Sequence, residues 1–108
     1  MKNNVFVVLF LLFLVSWVNG QTRPENRWIL GTWVGIDSTQ NSVEIVLNND
    51  GTGRWGGRNI IFSIDGNIIQ IFHENGLSRF WDGNIWRIND QRMVLRSGTF
   101  FVNLNKRN

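Results

Sequence analysis

Between residues 49 and 98 the chain is punctuated at short intervals by turn-forming pairs. They are Asn49-Asp50-Gly51, Gly56-Gly57, Asp65-Gly66, Asn75-Gly76, Asp82-Gly83, Asp90-Gln91 and Ser97-Gly98. Asn-Gly and Asp-Gly supply the positive backbone φ that tight hairpins need, because glycine carries no Cβ to clash and Asn and Asp bond their own backbone. The stretches between them are too short for a stable helix and are rich in Ile, Val, Phe and Trp, the residues that fit a pleated surface. The pattern predicts an all-β chain: a short antiparallel up-and-down meander of about eight or nine strands.

Turn positions also predict registers. They set Ile45 opposite Trp55, Phe62 opposite Ile69, Ile71 opposite Phe80, Trp86 opposite Leu95 and Leu95 opposite Phe100. Directly opposed residues share a face. One face then collects Ile45, Leu47, Trp55, Ile60, Phe62, Ile69, Ile71, Phe80, Trp86, Ile88, Met93, Leu95, Phe100, Val102 and Leu104, and the other mixes Arg with aromatics. A one-residue slip would turn every side chain of a strand to the other face. A long meander with one apolar face curls and closes, hiding its edges.

Residues 1–20 read as a separate segment. Lys2 precedes an apolar run from Val5 to Val15, and Val18-Asn19-Gly20 resembles a signal-peptidase site, so residues 1–20 are expected to be a signal peptide cleaved after Gly20. The run is short of the ~20 residues that span a bilayer, which weighs against an uncleaved anchor. Of 108 residues, the 88 that remain form one domain, 21–108, with ten Lys or Arg against eight Asp or Glu and a formal charge of +2. Zero Cys rules out a disulfide framework, a zinc ribbon and a thiol nucleophile. With an export signal, this composition points to a secreted or periplasmic protein. Nine of the eleven basic residues are Arg, but a balance of +2 without a basic run does not suit nucleic acid.

Leu30-Gly31-Thr32-Trp33-Val34-Gly35 resembles the Gly-x-Trp opening of lipocalins and related calycin-like barrels. The Asp50-Gly51-Thr52-Gly53 segment and the basic Lys106-Arg107 tail are similar to features of small bacterial lipocalin-like exported domains. The resemblance covers residues 28–107. It implies a small closed barrel, a packing pair between Trp33 and Arg107, and binding of a small hydrophobic ligand.

Chemistry-bearing residues are few. His73 is the lone histidine and falls at a hairpin beside Glu74; a metal or a general base needs further partners that the sequence does not supply. Asp50, Asp65, Asp82 and Asp90 fall in turns, where local backbone bonding explains them. No cofactor, metal or catalytic residue is expected. Two binding readings stand. In the first, a non-enzymatic barrel holds a small apolar or amphipathic ligand in a hollow lined by Trp55, Phe62, Ile71, Phe80, Trp86 and Phe100. In the second the core is filled, and an outer face of Phe72, Arg79, Trp81, Arg87, Arg96 and Phe101 meets a protein or glycan partner.

Overall fold

The computed structural model describes residues 23–107; the leader expected at residues 1–20 lies outside them. A 3₁₀ helix, Pro24–Ile29, leads into eight strands: β1 Gly31–Asp37, β2 Ser42–Leu47, β3 Thr52–Trp55, β4 Arg58–Asp65, β5 Ile68–His73, β6 Arg79–Asn89, β7 Arg92–Ser97 and β8 Phe100–Arg107. Each strand pairs antiparallel with the next, and β8 pairs with β1 to close the barrel. The expected all-β, closed up-and-down architecture is what the chain adopts. Eight strands enclose an interior about wide enough for side chains to fill.

Twelve apolar side chains fill it: Ile29, Trp33, Ile45, Leu47, Ile60, Phe62, Ile69, Ile71, Met93, Leu95, Val102 and Leu104, none more than 5% exposed. Burying a side chain of this size stabilises the fold by roughly 1.5–3 kcal/mol before the entropy of ordering is counted. The buried residues alternate along β2, β4, β7 and β8, as the pleat requires. Residues 31, 47, 53, 65, 68, 89, 92 and 107 lie toward one end of the barrel, the base, which the 3₁₀ helix covers. The opposite end, the mouth, is framed by the loops after Asp37, Trp55, His73 and Ser97.

Most turn signals fold as read. Gly51, Gly56, Gly57, Gly66, Gly76 and Gly98 all take positive φ. Ile45 faces Trp55 as expected. Phe62 faces Ile71 rather than Ile69, and Leu95 faces Val102 rather than Phe100. These are two-residue shifts that leave the faces unchanged.

The exception is Asp82-Gly83. No turn forms there; both residues lie inside the eleven-residue β6, so the nine-strand variant becomes eight. Gly83 serves a different purpose, because a Cβ there would run into the indole of Trp81 and come 2.6 Å from the Arg96 carbonyl oxygen. Phe80 is also an extra residue in β6, since Ile71 faces Trp81 while its neighbour Phe72 faces Arg79. Such a bulge puts two residues against one and shifts the alternation that follows. Trp81, Gly83 and Ile85 therefore point inward. Trp86 and Ile88, expected inside, are 59% and 55% exposed on the outer wall. A second irregularity between Arg87 and Asn89 restores the pairing with β7.

Candidate functional site

The base is sealed from sequence-local parts. Pro24 starts the 3₁₀ helix, where its fixed φ fits and its missing N–H is not needed. Ile29 closes the bottom of the core. The indole N–H of Trp33 donates to the Ile29 carbonyl oxygen at 2.7 Å, a buried bond that pins the helix to β1. Trp28 meets Trp33 edge to face, with centroids 6.1 Å apart. The predicted partner of Trp33 is corrected: Lys106, not Arg107, reaches it. Lys106 is directly opposite Trp33 in the β1–β8 register and so shares its face. Its ammonium donates to the Trp28 carbonyl oxygen at 2.8 Å and sits 5.6 Å from the Trp33 ring centre. Arg107 points outward and pairs with Glu44 at 3.0 Å.

At the mouth the arrangement is different. Trp55 on β3 and Trp81 on β6 touch across the lumen, with centroids 5.3 Å apart, although two strands separate them in the sheet. Phe80 lies 6.0 Å from Trp55, and Phe100 on β8 lies 6.2 Å from Trp81. His73, at the end of β5, stands edge-on to Phe80 at 5.4 Å. Five rings thus run in a continuous chain over the top of the core. All five are half-buried. The bulge makes this possible: consecutive residues Phe80 and Trp81 both contact Trp55, which strict alternation would forbid.

Polar groups border the rings. The Arg58 guanidinium lies 5.5 Å from the Phe80 ring centre. Arg58, Asn59, His73, Glu74 and Asn75 line a concavity of about 360 Å³ beside the mouth. A second concavity of about 250 Å³ lies at the base between the 3₁₀ helix and the β4–β5 hairpin, with Glu25, Trp28, Ile85 and Arg87 in its wall. There the Arg87 guanidinium already covers the Trp28 ring at 4.6 Å and is ion-paired with Asp90.

The six residues expected to line a hollow are therefore distributed over three places. Phe62 and Ile71 belong to the packed core, Trp55, Phe80 and Phe100 sit at the rim of the mouth, and Trp86 lies on the outer wall. The register shift in β6 expelled Trp86 and brought in Trp81, which takes its place among the rings. The outer set is likewise split. Trp81 is inside, Arg87 is at the base, and Arg79 is paired with Asp82 at 3.1 Å. Only Arg96 with Phe101 and Phe72 with Arg79 stand as facing pairs. His73, expected at a hairpin beside Glu74, is a half-buried strand end packed on Phe80.

No family model, curated protein or solved structure compared with the chain gives a significant match. The architecture is consistent with a calycin or lipocalin-like barrel. Among the described residues, no three His, Cys, Asp or Glu side chains gather in a way that could hold a metal ion, and no helix is long and apolar enough to cross a membrane.

Two residues of the candidate site escaped the sequence reading. Trp81 is expected outward because the Asn75-Gly76 turn sets Ile71 opposite Phe80, and the bulge that reverses this has no local signal. Lys106 carried a readable signal, since the alternation of Val102 and Leu104 continues to it and passes over Arg107.

Proposed function

We propose that this chain is an exported, non-enzymatic, lipocalin-like barrel that binds a small apolar or amphipathic molecule at its aromatic mouth. The observation that carries this reading is the cross-lumen contact of Trp55 with Trp81, joined by Phe80 and Phe100, with every ring partly open to solvent. A packed core ordinarily ends in aliphatic side chains or a covering helix, as the base of this barrel does. Aromatic surface left partly wet is favourable to cover, at roughly 25 cal/mol per Å². Arg58 and His73 at the rim suit the polar end of an amphipathic ligand. Because the interior is filled from Ile29 to Phe62, the ligand in this reading lies across the rings rather than deep in a cup. Export rests on the leader-like residues 1–20, with cleavage after Gly20 giving a mature chain that begins at Gln21.

The test is a fluorescence titration with N-phenyl-1-naphthylamine, an apolar probe whose emission rises when it leaves water. Saturable binding is expected for the wild-type protein. Trp81→Ala should weaken it at least tenfold, and Trp86→Ala should leave it unchanged. Equal effects of the two substitutions, or no saturable binding by the wild type, would refute the reading. Intact mass of protein recovered from the exported fraction checks cleavage, and a mass retaining residues 1–20 would overturn that part.

A further inference from the structure

The outer wall of the barrel carries a feature that the mouth does not need. Trp86 and Ile88 on β6 stand 59% and 55% exposed, and with Val94 and Arg96 of β7 they line a shallow groove of about 210 Å³. Trp86 faces Val94 directly in the register. Arg92 and Arg96 flank Val94 on the same outward side of β7. The neighbouring outward positions are Asn84, Phe101, Asn103 and Asn105, none of them charged. On the β6 side, Asp82 within the strand and Asp90 just after it are ion-paired with Arg79 and Arg87. Arg92 and Arg96 have no ion pair among the described residues. The wall therefore combines exposed Trp and Ile with cations that no carboxylate neutralises.

From this we infer that the outer face of β6–β8 docks on a membrane surface bearing anionic headgroups. Charge decides between occupants. A second copy packed on this face about a two-fold axis would set arginines against arginines with no carboxylate to meet them. The barrel also has no open sheet edge for a partner strand to extend. A folded protein partner is disfavoured by size: even a fully covered Trp supplies at most about 250 Å², so the only partly exposed Trp86, Ile88, Val94 and Phe101 fall short of the roughly 800 Å² a stable interface takes from each partner. A bilayer surface asks for less. Trp favours the level of the headgroups, Ile and Val enter just below it, and each Arg is drawn to an anionic surface. This inference is independent of ligand binding at the mouth.

The absence of cysteine allows a direct test on the full chain. A single Asn103→Cys places an environment-sensitive fluorophore on the proposed face. Ser63→Cys, on the outward side of β4, places the same fluorophore across the barrel. With vesicles of phosphatidylcholine and phosphatidylglycerol, the label at 103 should shift to the blue while the label at 63 stays unchanged, and pure phosphatidylcholine should give neither response. Replacing either Arg92 or Arg96 by Gln should lower vesicle partition about fivefold, and Trp86→Ser about tenfold. Variant folding is checked by the unchanged β-sheet circular dichroism. Equal responses at 63 and 103, no response with anionic vesicles, or a response at 103 that tracks protein concentration without vesicles would each overturn the inference, the last in favour of a second copy.

Discussion

The indole of Trp81 occupies the space that a side chain at Gly83 would need. A Cβ at position 83 would lie 2.8 Å from the Cζ2 atom of that ring and 2.6 Å from the backbone oxygen of Arg96. The ring can rotate away, but the carbonyl belongs to the β6–β7 ladder and cannot. Gly83→Ala is therefore expected to cost about 1–3 kcal/mol in denaturant unfolding. Trp81→Ala should relieve only part of that cost, so a double-mutant cycle should give a non-zero coupling between the two positions. Additive losses would mean that the ring and the glycine act independently.

The base offers a comparison between two adjacent cationic residues. Lys106 donates to the Trp28 carbonyl oxygen and lies over Trp33, whereas Arg107 forms a single exposed ion pair with Glu44. Lys106→Met should lower stability by about 1–2 kcal/mol through the lost charged hydrogen bond. Arg107→Gln should change it by less than about 0.5 kcal/mol, as exposed pairs usually do. Trp33→Phe, which leaves the Ile29 carbonyl unpartnered and a gap in the core, should cost about 2–4 kcal/mol. Chemical denaturation measures all three, and a larger loss for Arg107→Gln than for Lys106→Met would contradict the assignment.

Closure of the barrel depends on Gly35. A Cβ there would overlap the Asn103 carbonyl oxygen and come 3.1 Å from the Leu104 Cα, so β1 and β8 meet closely only because the position is bare. Gly35→Ala should loosen this seam and uncover two strand edges. Uncovered edges recruit other chains. Light scattering should then show concentration-dependent association that the wild type lacks; a stable monomeric variant would argue that the seam can shift without opening.

Two loop carboxylates tie their own turns. Asp37 accepts from the Thr39 hydroxyl at 2.6 Å and from the Asn41 and Thr39 amides, and Asp50 accepts from the Thr52 hydroxyl at 2.6 Å and from the Thr52 amide. These bonds, the hydroxyl ones foremost, favour the charged form and hold both carboxyls below the ordinary aspartate value of 3.8. A folded-state value below the unfolded one contributes stability that is present above 3.8 and is lost as the pH falls through the lowered folded value. NMR titration should place both midpoints under 3.8. In Thr52→Val the Asp50 midpoint should rise toward 3.8 while Asp37 stays put; an unmoved Asp50 would assign its shift to some other cause.

Much of the fold was legible because turns are a local matter. Gly51, Gly66, Gly76 and Gly98 are needed for positive φ, and their neighbours advertise it. Two-residue errors in pairing, as at Phe62, leave faces intact, so the core from Ile45 to Leu104 could be read with imperfect registers. Gly83 defeated the same reasoning because it is glycine for packing, not for its backbone angle, and only the position of Trp81 reveals that. The bulge at Phe80 was equally hidden. It is a one-residue offset in the β5–β6 pairing, and it decides which tryptophan faces in. Which tryptophan completes the aromatic mouth thus turned on a bulge and on a contact between strands distant in the sheet, which no local pattern encodes.

The pairing of β1 with β8 sets Thr32 beside Arg107 at the base, on the far side of the barrel from the aromatic rings. Topologically the wall is a ring with one covalent gap. Bridging that gap with a short linker and reopening the chain at Gly56-Gly57 would yield a circular permutant with the same ladder of contacts. Gly31 and Arg107, where that ring opens, both lie at the floor, away from the aromatic mouth.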